Sequence, residues 1–126
     1  MPPKHPLARI LVVDDEEQIR DLLCRHLLEE GYAVAEAADG LAALEILRSE
    51  GADLVILDLV MPECEGTEAV VQLRREFPDL PILAISGVVG ADFYLQAAKM
   101  LGAHETLRKP FEKDELIAKV GKMLQV

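Results

Sequence analysis

The chain is predicted to fold as an α/β domain, a doubly wound (βα)5 arrangement with a five-stranded parallel sheet between two helix layers. Three observations lead there. Apolar runs and amphipathic stretches of helix length alternate along the 126 residues. Val and Ile crowd the first, third and fourth runs, as in central parallel strands covered on both faces. The links between successive segments are short, and five strand-helix units so joined imply a parallel sheet flanked by helices.

The first strand is read in RILVV (9–13). After Asp15, EEQIRDLLCRHLLEEG sets Ile19, Leu22, Leu23 and Leu27 on one face and closes at Gly31, a C-cap residue. AVAEA (33–37) is the second strand, and GLAALEILRSEG follows with Leu41, Leu44 and Leu47 on one side and Gly51 at its end. LVIL (54–57) is the third strand, which Met61-Pro62 cannot continue. TEAVVQLRREFP turns Val70, Leu73 and Phe77 inward, and Pro78 stops it. PILAIS (81–86) is the fourth strand, followed by ADFYLQAAKMLG ending at Gly102. ETLR (105–108) is the fifth, and EKDELIAKVGKML brings Leu116, Ile117, Val120 and Leu124 inward. Residues 1–8 read as a Pro-rich tail and 9–126 as the domain. The common order for such a sheet is 2-1-3-4-5, a flavodoxin-like three-layer sandwich. Its ligands bind beyond the carboxyl ends of the strands, where the order reverses.

Composition narrows the function. At 51% hydrophobic and 29% charged, the chain has an ordinary globular balance and the length of one domain. A net charge of −10 argues against direct contact with nucleic acid or anionic lipid. No apolar stretch is long enough to span a bilayer, and no signal-peptide core follows the basic start, so a soluble cytoplasmic protein is expected. Cys24 and Cys64 lack zinc-ligand spacing and read as reduced thiols. His5, His26 and His104 have no partner at catalytic spacing and read as structural or solvated.

The strand ends carry the chemistry. The first ends in Asp14-Asp15, the third in Asp58, the fourth in Ser86-Gly87 and the fifth in Lys109-Pro110. Adjacent first and third strands bring the acids together, with no positive residue near Asp58 in sequence. Two like charges ~4 Å apart repel by about 4 kcal/mol at an effective dielectric of ~20. That is comparable with the roughly 5–15 kcal/mol stability of a whole domain. Either a carboxylate stays protonated or a cation fills the site. A few oxygen ligands with room for water suit Mg²⁺ better than zinc.

ILVVDDEE, LVILDLVMPECEG, ILAISG and AHETLRKPF together resemble the response-regulator receiver domain of bacterial two-component phosphorelay signalling, a CheY-like superfamily. The resemblance runs from Arg9 to Leu124 in order and spacing. It implies that Asp58 accepts a phosphoryl group from a histidine kinase or phosphotransfer protein, a carboxylate being a competent nucleophile toward phosphorus. Asp14 and Asp15 match the family's metal-binding acids, with Asp58 and the backbone carbonyl of Val60 as further ligands to Mg²⁺ (or Mn²⁺). Asp15 also has a purely structural role open to it, as N-cap of the first helix. Lys109 would offer its ammonium to the phosphoryl oxygens and to Asp58, aimed by a cis Lys109-Pro110 bond. Ser86 would hydrogen-bond the phosphoryl group.

Departures and alternatives bear on this reading. Thr106 stands where the family often has an aromatic residue, so signalling is expected to pass by backbone displacement from Gly87 to Leu101. Val60 and Val88 are apolar where polar residues could orient water, so slow self-dephosphorylation is expected. Val60, two residues past Asp58, also supplies no general acid, which disfavours an aspartate-nucleophile phosphatase acting on outside substrates. The chain is therefore expected to assist its own phosphoryl chemistry without being an enzyme. The alternative is a phosphate-independent interaction module of the same fold. A downstream protein target, or an output domain absent from this chain, is the expected partner. The fourth helix, fifth strand and fifth helix form the expected contact face, one that could support a dimer, with Phe93, Tyr94 and Leu95 as its apolar candidates. The chain stops after the fifth helix, consistent with a stand-alone receiver or a piece of a larger regulator or hybrid kinase.

Overall fold

The computed structural model describes residues 8–61, 64–87 and 91–124, with side chains described outside 60–67 and 91–94. Strands β1 (Arg9–Val13), β2 (Ala33–Ala37) and β3 (Leu54–Asp58) alternate with helices α1 (Glu17–Glu29) and α2 (Gly40–Ser49). A short antiparallel pair, β4 (Val60–Met61) and β5 (Cys64–Glu65), comes next, then α3 (Gly66–Glu76). β6 (Ile82–Ser86), α4 (Ala91–Leu101), β7 (Glu105–Arg108) and α5 (Lys113–Leu124) complete the chain. The main sheet has five strands in the order β2-β1-β3-β6-β7, all paired in parallel. With β4 and β5 set aside as a separate pair, this is the 2-1-3-4-5 order expected from the sequence.

Two-residue periodicity in the central strands sorts the core into two layers. Leu11, Val13, Val55, Leu57, Ile82 and Ala84 face one side, where α2, α3 and α4 cover them with Leu44, Leu47, Val70, Leu73 and Ala98. Ile10, Val12, Leu54, Ile56, Leu83 and Ile85 face the other, against Leu23 and Leu27 of α1 and Leu116 and Val120 of α5. β1, β3 and β6 are buried along nearly their whole length, which accounts for their continuous apolar runs. Each Val, Leu or Ile among them contributes about 1.5–3 kcal/mol on burial.

Helix ends follow local chemistry. Gly31 and Gly102, just past α1 and α4, sit at φ 95 and 129, a left-handed region that strains any residue with a Cβ. The Asp39 carboxylate accepts from Ala42 N–H at 2.8 Å and caps α2. Two residues expected to face inward do not. Leu22 is 39% exposed and Leu41 67% exposed. The buried stripe of α1 is Leu23, Cys24 and Leu27, and that of α2 is Ala43, Leu44 and Leu47. Leu22 instead lines a cavity at the strand ends, and Leu41 borders a groove between α2 and α3.

Candidate functional site

The carboxyl edge of the sheet gathers most of the residues singled out by sequence. Asp14 follows β1 directly, and its N–H extends the pairing with β2 by donating to Ala37 O at 3.1 Å. Asp58 closes β3 opposite Ile85, and the next N–H, of Leu59, donates to Ile85 O at 3.0 Å. Ser86 closes β6. Lys109 follows β7, its N–H bonded to Ser86 O at 2.9 Å. Asp14, Asp58 and Ser86 are the polar residues buried among the described ones.

One ammonium serves two acids. Lys109 Nζ lies 3.2 Å from Asp58 Oδ2 and 3.6 Å from Asp14 Oδ2. Asp58, without a cation nearby in sequence, thus gains one from 51 residues away. The Lys109-Pro110 bond is cis, as the resemblance implied. The backbone of Gly87 packs directly on the aliphatic stem of Lys109.

The third carboxylate of the cluster is Glu16. Ligand-capable atoms of Asp14, Glu16 and Asp58 lie within 4.8 Å of one another, an oxygen-only group able to hold a metal ion. Asp15, expected in that role, is exposed and outside the trio. Nor does it cap α1, whose N-cap is Glu16. The reason is local: Asp14 Oδ1 accepts the Glu16 N–H at 2.9 Å, an i to i+2 turn that carries Glu16 toward the pocket. Glu16 and Gly87 were both legible as neighbours of singled-out residues, in DDE after a strand and in Ser-Gly, but neither was assigned a role.

Burial dominates the electrostatics. It pushes the Asp14 carboxyl from an ordinary 3.8 up to about 6. The Glu16 N–H pulls it back, the Asp58 charge adds to the rise, Lys109 opposes it, and Asp15 adds a smaller push. Asp14 Oδ2 and Ser86 Oγ are buried with no hydrogen-bond partner among the described residues. Buried polar atoms without partners are rare, and two of the four among the described residues stand at this strand edge. Three carboxylates against one ammonium, with a buried carboxylate oxygen that accepts no hydrogen bond from the described residues, fit a hard cation bound to oxygen.

A cavity of about 480 Å³ opens onto this edge, with Asp58, Gly87 and Lys109 at its floor and Ile19, Leu22 and Phe111 along its wall. Thr106 lies half-buried in β7 opposite Ala84. Burial pushes the Cys24 thiol up to about 11, in keeping with an inert structural cysteine. His104 accepts a hydrogen bond from Arg74 and has a structural role, while His26 borders the cavity. Val60 enters the small β4–β5 pair. Val88, Pro62, Glu63 and His5 lie outside the described residues, as do the side chains of Val60, Cys64, Phe93 and Tyr94. Leu95 is buried and offers no contact surface. Among the described residues no helix is long and apolar enough to cross a membrane.

This sheet order, with acids and a lysine on its carboxyl edge, defines the receiver class of signalling domain. The model of the response regulator receiver domain matches residues 10–121, and the chain belongs to that family, the receiver domains of two-component systems. Among curated proteins it is 40% identical over 125 residues to the response regulator MprA of Mycolicibacterium vanbaalenii, covering 94% of this chain and 51% of that protein. The chain thus spans about half the length of the curated relatives it matches. Among solved structures, the receiver domain of NtrX from Brucella abortus superposes with a TM-score of 0.87 at 33% identity, covering 91% of this chain and 97% of that one. The response regulator TrrA from Thermotoga maritima, solved in complex with Mg²⁺-BeF, is 40% identical with a TM-score of 0.84, covering 94% and 100%.

Proposed function

We propose that the chain is a phosphorylation-driven switch in which Asp58 accepts a phosphoryl group from a histidine kinase or phosphotransfer protein. An Asp58 carboxylate oxygen attacks phosphorus, the P–N bond of the donor phosphohistidine breaks, and the imidazole leaves with the electron pair. The product is an acyl phosphate. The observation that carries this reading is the single ammonium of Lys109 held 3.2 Å from Asp58 and 3.6 Å from Asp14. That ammonium partly offsets the charge of the resting acids and is placed to meet the added phosphoryl oxygens. Ser86 Oγ, buried at the same edge, offers a donor to them.

Mg²⁺ is the ion we assign to the acid cluster, where it would neutralise the carboxylates and the phosphoryl oxygens. Asp14 and Asp58 would hold it with Glu16, and Asp15 and the Val60 carbonyl are the further ligands that the resemblance implies. The domain, taken as 9–126, assists its own phosphorylation and dephosphorylation and turns over no outside substrate. Phosphorylation alters protein contacts on the α4–β7–α5 face, toward a downstream target or an output domain, in the cytoplasm.

Intact mass after incubation with a small-molecule phosphodonor, with and without Mg²⁺, tests the proposal beside Asp58→Asn. A metal-dependent gain of one phosphoryl group, absent in the variant, is the expected result. No gain, together with no binding of Mg²⁺ or beryllofluoride, would leave a phosphate-independent interaction module.

A further inference from the structure

Asp14 sits in a gap between two hydrogen-bonding systems. The β1 strand ends at Val13 and α1 begins at Glu17, its N-cap Glu16 accepting the first helical bond from Arg20 N–H. The carbonyl of Asp14 belongs to neither ladder. It is met by the side chain of Arg20, whose guanidinium donates to Asp14 O at 2.7 Å and, through Nε, to Glu36 Oε1 on β2 at 3.0 Å. The Arg20 side chain is only 16% exposed. Three of the four polar atoms of Asp14 are then committed: N–H to Ala37 O, C=O to Arg20, and Oδ1 to Glu16 N–H. Oδ2 is left pointing at Lys109.

These bonds are mechanically linked. Turning the peptide after Asp14 would swing its carbonyl away and carry the Glu16 N–H off Oδ1. We propose that Arg20, braced by Glu36, is a positioning residue that sets the direction of Asp14 and Glu16 toward the metal. The inference rests on the reading of these acids as metal-holding groups.

Electrostatics alone predicts the opposite of positioning. Arg20 is a cation beside the pocket, and its charge repels a second cation. Neutralising it should tighten Mg²⁺ binding if charge is all that it supplies, and weaken binding if it holds Asp14 in place. The sign of the change decides.

The experiment is calorimetric titration of the whole chain with Mg²⁺, for the unaltered protein, Arg20→Gln, Arg20→Lys, Glu36→Gln and Arg48→Gln. Arg48 pairs with Glu76 on the exposed surface of α2 and α3, so its variant controls for net charge. Arg20→Gln is expected to weaken binding about tenfold, in the range seen when the supports of metal ligands are removed. Arg20→Lys should recover part of the loss, Glu36→Gln should show a smaller loss of the same sign, and Arg48→Gln should show none. Binding by Arg20→Gln as tight as, or tighter than, the unaltered chain overturns the proposal. Should Arg20→Gln fail to fold, Arg20→Lys decides: it keeps the charge, so weakened binding supports the brace and unchanged binding overturns it. A second readout, in EDTA, is hydrogen exchange of the Glu16 amide, which should quicken in Arg20→Gln. If the unaltered chain bound no Mg²⁺, the proposed function would fail. The brace would then be judged on the Glu16 amide alone, with unchanged exchange overturning it.

Discussion

Gly87 and Lys109 stand so close that a Cβ at position 87 would lie 2.5 Å from Cβ of Lys109 and 3.2 Å from its Cδ. Real Cβ atoms do not approach that closely, so even a methyl group there must push the lysine stem aside. Gly87→Ala is therefore expected to withdraw the ammonium from Asp58 and slow phosphorylation by a small phosphodonor about tenfold or more. The rate is read by intact mass, with circular dichroism to establish that the fold is kept. An unchanged rate would mean that the stem accommodates the methyl group.

The displaced carboxyl of Asp14 makes stability depend on pH. Its folded-state value of about 6 lies above an ordinary 3.8, so burial favours the protonated form. The contribution to stability is fully present below about 3.8 and is lost as pH rises through about 6, a difference of about 3 kcal/mol. Other carboxylates titrate too, so the quantity to follow is the difference between the unaltered chain and Asp14→Asn in EDTA. The two should match near pH 4, and the variant should be the more stable at pH 8 in urea denaturation.

Arg74 gathers the base of the domain. Its guanidinium donates to the carbonyls of Gly102, Phe77, Pro78 and Leu80 and to His104 Nδ1. It joins the end of α3 to the end of α4 and the start of β7. A lysine cannot span these acceptors with one ammonium. Arg74→Lys should cost about 1–2 kcal/mol, since partly buried carbonyls lose charge-assisted partners. Denaturant midpoints check it, and a change below experimental error would show that solvent replaces the lost donors.

Gly121 lies within α5, and a Cβ there would meet nothing within 4 Å. Glycine in a helix interior is less favourable than alanine by about 0.8–1.0 kcal/mol. Gly121→Ala should stabilise by about that amount and leave Mg²⁺ binding unchanged, both readable from urea midpoints with and without the ion.

Strands were legible inside the sheet and at its edges, for different reasons. β1, β3 and β6 stand out as continuous apolar runs buried on both faces, while the edge strands β2 and β7, largely outside the core, are placed by Gly31 and Gly102 closing the helices before them. The β4–β5 pair was not legible, since two-residue strands leave no periodicity to detect. Leu22 and Leu41 show the limit of helical patterning, which finds an apolar face but not which edge of it turns to the sheet. The same holds at the strand ends. Asp14, Asp58, Ser86 and Lys109 announced themselves by residue type and place. Glu16 and Arg20 did not, because their roles come from one turn of backbone between β1 and α1 and from a contact to β2. Gly87 acts only through the space it leaves for a residue 22 positions on.

The bond from Lys109 N–H to Ser86 O, next to the last pairing of β6 with β7, has a consequence for how the domain responds. The hydroxyl and the ammonium are mounted on one backbone tie, so their anchor points share a single displacement rather than two independent ones. Pulling on either drags the other. Substitutions at 86 and 109 should then be non-additive, and this edge of the domain should read out as one variable, in or out.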